Sequence, residues 1–161
     1  MLSRQENIIV NIRTTTGKIG RDAIMELSKD FVGEIKKKNL NTREQIIEFY
    51  NEQSYLYKFD HYYRNLYRII KFVNATNFND NEKYNYVAIL RATLSYEELV
   101  LLFYNALCYP KMKGLIIDYS FLQNIRIFSD TIQHFKYYSD KDFKVFGNRK
   151  EEIKSALKGI K

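Results

Sequence analysis

The sequence predicts an all-α protein, a single helical bundle of about six helices across residues 1–161, packed round one nearly all-apolar helix. Three observations predict it. Chain breakers are scarce, with one Pro and six Gly in the whole chain, which favours long helices over many short strands. Apolar residues recur at helical spacing along most of the chain, and no stretch alternates long enough to be read as a sheet. Finally, the run Leu99 to Leu107 is broken only by Asn105. A helix apolar nearly all round has to be buried. At 161 residues one core is the simplest arrangement, and fourteen Tyr and eleven Phe supply much of its volume.

Taken in order, Leu2 to Thr14 predicts a first helix with Ile8, Ile9 and Ile12 on one face, stopped by Thr14-Thr15-Thr16-Gly17. Three β-branched residues and a glycine are poor helix interior. A second helix follows, with the apolar stripe Ile24, Leu27, Phe31, Ile35 and with Lys36-Lys37-Lys38 at its negative end. Thr42-Arg43-Glu44-Gln45 is a capping-box sequence that opens a third helix, and helical character continues past a kink near Ser54 into Tyr62–Val73. Asn74 to Asp80 is the clearest loop. A helix is expected from about Asn81 to Leu94. Ser95-Tyr96-Glu97-Glu98 is a second capping box, opening the most apolar helix, which Tyr109-Pro110 should end. Leu115–Ile127 predicts a helix or turn, Thr131–Tyr138 a further helical piece, and Arg149–Lys158 a short amphipathic helix. The stretch Asp142 to Gly147 fits no single template.

The formal net charge is +7, and its placement matters more than its size. Residues 1–41 carry a surplus of three positive charges, residues 136–161 a surplus of four, and the span between them none. Basic ends are usually solvated faces, less often contacts to nucleic acid or acidic lipid. The single Cys108 excludes an internal disulfide and a cysteine-rich zinc site, which suits an intracellular, cytoplasmic setting. The longest apolar run falls well short of the roughly 20 residues that span a bilayer.

Candidate site residues gather on two segments. On a helical wheel, Tyr62, Tyr63, Leu66, Ile69, Ile70 and Val73 form one apolar face. His61, Arg64, Asn65 and Arg68 are placed on the other, at i,i+4 spacing that lets all four reach one ligand or one acidic partner. A solvated basic face is the competing reading. Glu98 and Asn105 fall two turns apart on one line of the apolar helix, and Arg91 lies among Val87, Leu90 and Leu94 on the helix before it. A charge in such company needs a partner, so Arg91 is expected to pair with Glu98 or with another carboxylate such as Asp60. No catalytic set is visible, and the reading leans away from an enzyme. Two histidines and one cysteine cannot make a typical metal site, no H-E-x-x-H or phosphate-cradling glycine loop occurs, and no metal or cofactor is expected. A pairing of Cys108 with His61 or His134 as nucleophile and base stays open, without local sequence to support it. Helical ribonucleases of the HEPN class carry Arg, a polar residue, then His a turn later; His61-x-x-Arg64 inverts that order.

The three blocks His61–Tyr67, Ile89–Ser95 and Glu98–Asn105 together resemble the phage abortive infection family of bacteria, related to the lactococcal abortive infection protein C. The family pattern reads approximately H-Y-F-R-x-L-Y, I-L-R-A-Q-L-S and E-L-x-L-L-F-Y-N. His61, Arg64, Leu66 and Tyr67 match the first block; Arg91, Ala92, Leu94 and Ser95 the second; Glu98, Leu99, Leu101, Leu102, Phe103, Tyr104 and Asn105 the third. The resemblance runs from about residue 3 to 126 and leaves the basic C-terminal stretch 136–161 unassigned. Tyr63 stands where the family has Phe, Thr93 where it has Gln, and Asp60 where Gly is frequent. The resemblance implies phage defence and supplies no catalytic residues. It supports a sensing or interaction/effector module with a phage or host protein as partner. The alternative is an RNA-binding protein or a ribonuclease-type toxin, motivated by the His61/Arg64/Asn65/Arg68 face. Many relatives carry N-terminal membrane-spanning helices, so membrane association is implied where such an anchor precedes this segment. A homodimer is a further expectation, because the apolar helix needs cover on every side.

Overall fold

The computed structural model describes residues 2–127 and 131–159. Among them are eight α-helices and three 3-10 helices, with one isolated antiparallel bridge as the only extended pairing. The all-helical expectation holds, with more and shorter elements than the six anticipated.

The first helix, α1 (Leu2–Ile9), is shorter than the sequence predicts. Instead of continuing to Thr14, the chain turns back on itself. Arg13 bridges Ile19, Thr14 N donates to Lys18 O at 3.0 Å, and Gly20 N donates to Ile12 O at 2.9 Å. Gly17 makes the tip at φ 89°, a conformation that costs glycine little. Ile12, expected on the helical face, is still buried. Helix α2 (Gly20–Lys37) buries Ile24, Leu27, Phe31 and Ile35 as predicted, with Lys36 and Lys37 in its last turn.

Three helices open with complete capping boxes: α3 (Arg43–Glu52) from Thr42 and Gln45, α5 (Asp80–Ala92) from Asn79 and Glu82, and α6 (Tyr96–Cys108) from Ser95 and Glu98. In each, the cap side chain takes one orphan N–H and the N3 side chain returns to the cap's own N–H. The kink expected near Ser54 is a 3-10 segment, Ser54–Phe59, that feeds α4 (Asp60–Asn74). Tyr109-Pro110 does end α6, yet Pro110 also begins α7 (Pro110–Asp118). Proline has no N–H to lose and its φ suits the first helical position, so one residue closes one helix and starts the next. The stretch expected as one element over Leu115–Ile127 is therefore the end of α7 followed by turns.

Helix α6 is the centre of the fold. Every residue from Glu98 to Leu107 is buried, covered by α2, α3 and α7. Because the chain itself supplies that cover, the apolar helix does not by itself call for a twofold partner. The C-terminal stretch left unassigned by sequence belongs to the same core. The 3-10 segments Ile132–Tyr137 and Asp140–Arg149 and helix α8 (Lys150–Lys158) bury Phe135, Phe143, Val145, Phe146 and Ile153. Rings join these elements to α6, with Phe103 against Phe135 and Tyr138 at 5.1 and 5.2 Å between centroids. Among the described residues no helix is long and apolar enough to cross a membrane.

Candidate functional site

Helix α4 divides as its wheel predicts, with one change. Tyr62, Tyr63, Leu66, Ile69 and Ile70 are buried, and His61, Arg64, Arg68 and Lys71 are exposed. Asn65, placed by sequence on the polar face, is buried at 9% exposure. It lies at the boundary of the two sectors, and α1 packs over it, so that Asn65 Nδ2 donates to Gln5 Oε1 at 2.6 Å. The four residues nonetheless converge. His61, Arg64, Asn65 and Arg68 line one shallow cavity of about 150 Å³, which Arg4 and Ile8 of α1 complete. No ion pair engages Arg4, His61, Arg64 or Arg68 among the described residues. Arg64 also stands at the edge of a second cavity of about 260 Å³, between α4, the end of α6 and α7, where Asn105, Tyr63 and Lys111 meet it.

Glu98 is 1% exposed and fully used. Its carboxylate accepts from the Tyr62 hydroxyl and from the Ser95 backbone N–H at 2.7 Å. Arg21 Nε lies 3.7 Å away, and the same guanidinium reaches Glu6 and the Thr93 carbonyl, both at 3.2 Å. Burial first, and then the neighbouring Glu98 charge, hold the Tyr62 phenol well above its ordinary pKa, so it stays a donor. This network joins α1, α2, α4 and α6.

The expected pairing of Arg91 with Glu98 or Asp60 does not form. Arg91 is buried at 6% exposure, but its Nη1 donates to the carbonyls of Tyr119 and Ser120 at 3.0 and 3.1 Å. The physical reason is local: the capping box turns Glu98 back toward its own helix start, while Arg91 reaches the carbonyls left open where α7 ends. Asn105 has yet another partner, donating to the Tyr50 hydroxyl at 3.1 Å. The seven residues singled out from sequence thus fall into a surface group (His61, Arg64, Arg68, with Asn65 beneath) and three separate structural contacts (Arg91, Glu98, Asn105).

The remaining reactive groups are quiet. Burial pushes the Cys108 thiol up to about 12, which leaves it protonated and a poor nucleophile at neutral pH. His134 is buried and shares a 2.8 Å hydrogen bond with Tyr104; burial, then Lys136, lower its pKa to about 4. No hydrogen bond joins Cys108 to His61 or His134 among the described residues. Among the described residues no group of three His, Cys, Asp or Glu is placed to hold a metal ion. Sequence reasoning missed Arg4, Gln5 and Arg21, which enter these contacts from far along the chain, and no spacing rule would have found them.

The family pattern read from the three blocks is borne out by comparison. A family model described as "putative phage abortive infection protein" matches residues 53–129, which contain all three blocks. No curated protein and no solved structure matches the chain. Residues 53–129 thus carry the sequence pattern of the putative phage abortive infection protein family.

Proposed function

We propose that this chain acts inside the bacterial cell as a recognition module of phage defence, and that the α4 face with His61, Arg64 and Arg68 meets an acidic partner of phage or host origin. The observation that carries the reading is the convergence of these three side chains with Arg4 on one cavity, without counter-charges. Glu98 and Asn105 are taken up by contacts between helices, whereas the cations of the α4 face are exposed. The test is restriction of a phage panel in a sensitive host carrying the full-length gene. Wild type should restrict at least one phage, and Arg64→Ala/Arg68→Ala should lose restriction while keeping the wild-type melting temperature. If no phage is restricted, the defence assignment fails. If the double variant restricts as well as wild type, the face is not the recognition surface.

The same cationic group favours a second reading, an RNA-directed protein. Phosphate contacts release counterions, so such binding would weaken steeply with salt. Purified protein mixed with total and transfer RNA at low salt should then give a salt-sensitive shift. Cleavage abolished by His61→Ala would put this reading first, and the absence of both shift and cleavage would remove it.

A further inference from the structure

A cleft of about 840 Å³ lies away from the α4 face, between the α5–α6 corner and the C-terminal segment. That is within the range of small-molecule sites. Three arginines are among the residues that line it, Arg91, Arg126 and Arg149, with one acidic residue, Glu152. Glu152 is already neutralised, since Arg149 holds both its oxygens at 2.8 and 3.0 Å. Arg149 is itself pinned by the Ile125 carbonyl at 2.6 Å, and Arg91 by the two carbonyls at the end of α7. Arg149 and Glu152 cancel, and Arg91 and Arg126 leave the lining with a positive surplus.

Arg126 is different. It is exposed, its guanidinium carbon lies 3.6 Å from the centroid of the Tyr96 ring, and no hydrogen bond or ion pair engages it among the described residues. A guanidinium stacked on an aromatic face keeps its N–H edge and its outer plane open. The edge suits phosphate oxygens, which Arg grips in bidentate fashion, and the plane suits a nucleobase, which stacks on arginine and aromatic surfaces alike. An acidic side chain would use the charge but not the flat platform.

We propose that this cleft binds a nucleotide, with its phosphate on the N–H edge of Arg126 and its base laid on the Arg126–Tyr96 stack. The ligand chemistry, a phosphate beside a planar base, is shared by a free nucleotide and by one unit of a single-stranded RNA. The site is separate from the α4 face and does not depend on the reading proposed for it.

The experiment is titration of the purified protein with ATP, with a fluorescent hexaribonucleotide and with inorganic pyrophosphate at low salt. ATP or the hexamer should bind, and pyrophosphate more weakly for want of a base. Tyr96→Ala should weaken the base-bearing ligands about 5- to 150-fold, the effect of removing one stacking platform, and leave pyrophosphate unchanged. Tyr96→Phe should bind as wild type. Arg126→Ala should weaken all three probes, whereas Arg64→Ala/Arg68→Ala should weaken none. Hexamer binding more than about tenfold tighter than ATP, a difference of 1.4 kcal/mol, assigns the RNA strand as the source; otherwise the free nucleotide is assigned. No binding of ATP or hexamer at millimolar concentration overturns the proposal. Binding indifferent to both Tyr96→Ala and Arg126→Ala overturns it too, as does preference for an acidic peptide over every nucleotide probe.

Discussion

The Tyr62 hydroxyl on α4 donates to the Glu98 carboxylate on α6, and that carboxylate also closes the capping box at Ser95. One side chain thus sets where α6 begins and where it lies against α4. Tyr62→Phe should lower stability by about 1.5–3 kcal/mol, the range for a hydrogen bond to a charged group. Glu98→Ala should cost more than Tyr62→Phe, because it leaves both the Tyr62 hydroxyl and the Ser95 N–H without their acceptor. In urea melts the double variant should lose less than the sum of the singles. Wild-type midpoints for Tyr62→Phe would show that the contact contributes nothing.

Arg91 holds the turn after α7 through Nη1. Arg91→Ala should destabilise by about 1.5–3 kcal/mol, since one buried and one half-buried carbonyl lose a charged donor. Lysine can reach at most part of that geometry, so Arg91→Lys should fall between wild type and alanine in a thermal melt. Equal melting temperatures for all three proteins would contradict the role.

Tyr63 presents a different case. Its hydroxyl is buried and has no hydrogen-bond partner among the described residues, and the family pattern has Phe at this position. Removing an unsatisfied buried group recovers its desolvation cost, so Tyr63→Phe should raise stability by about 1 kcal/mol. A lower melting temperature for the variant would mean that the hydroxyl has a partner in solution.

His134 makes stability depend on pH. Its folded pKa of about 4 lies below the ordinary 6.5, so between these values the unfolded chain binds more protons than the folded one. Stability is full above about pH 6.5 and falls as pH drops toward 4, by a total on the order of 2–3 kcal/mol. His134→Gln should flatten that part of the profile relative to wild type. Parallel profiles from pH 7 to 4 would rule the linkage out.

Gly147 sits at φ 55°, and a Cβ there would come within 2.7 Å of Gln123 Oε1 and 3.1 Å of Gln123 Cβ. Gly147→Ala should cost about 1–3 kcal/mol from backbone strain alone. Gly33 on α2 has open space around it, and Gly33→Ala should gain about 0.5–1 kcal/mol. Opposite signs in chemical denaturation are the expected result; a tolerated Gly147→Ala would refute it.

These contrasts show what a sequence carries and what it hides. Capping boxes and apolar stripes are local, so the starts of α3 and α6 and the buried face of α2 could be read directly. The end of α1 could not, because the Arg13–Ile19 bridge is decided by contacts the helical wheel does not contain. The helical piece expected over Thr131–Tyr138 is the 3-10 segment Ile132–Tyr137, whereas Asp140–Arg149, also 3-10, lacks the 3.6-residue period that would have announced it. For the candidate site, the wheel assigned sectors correctly except at their border, where Asn65 lies. It could not name neighbours: Gln5 is 60 positions from Asn65, and Tyr119 is 28 from Arg91.

Helix α1 has eight residues, too few to persist alone in water. It is helical because it lies on α4, and in lying there it brings Arg4 to the cavity and seals Asn65 from solvent. The potential over the α4 face is therefore an emergent property of two helices in contact. Undocking α1 would withdraw one cation and uncover one amide in the same movement, giving the face two distinct electrostatic identities.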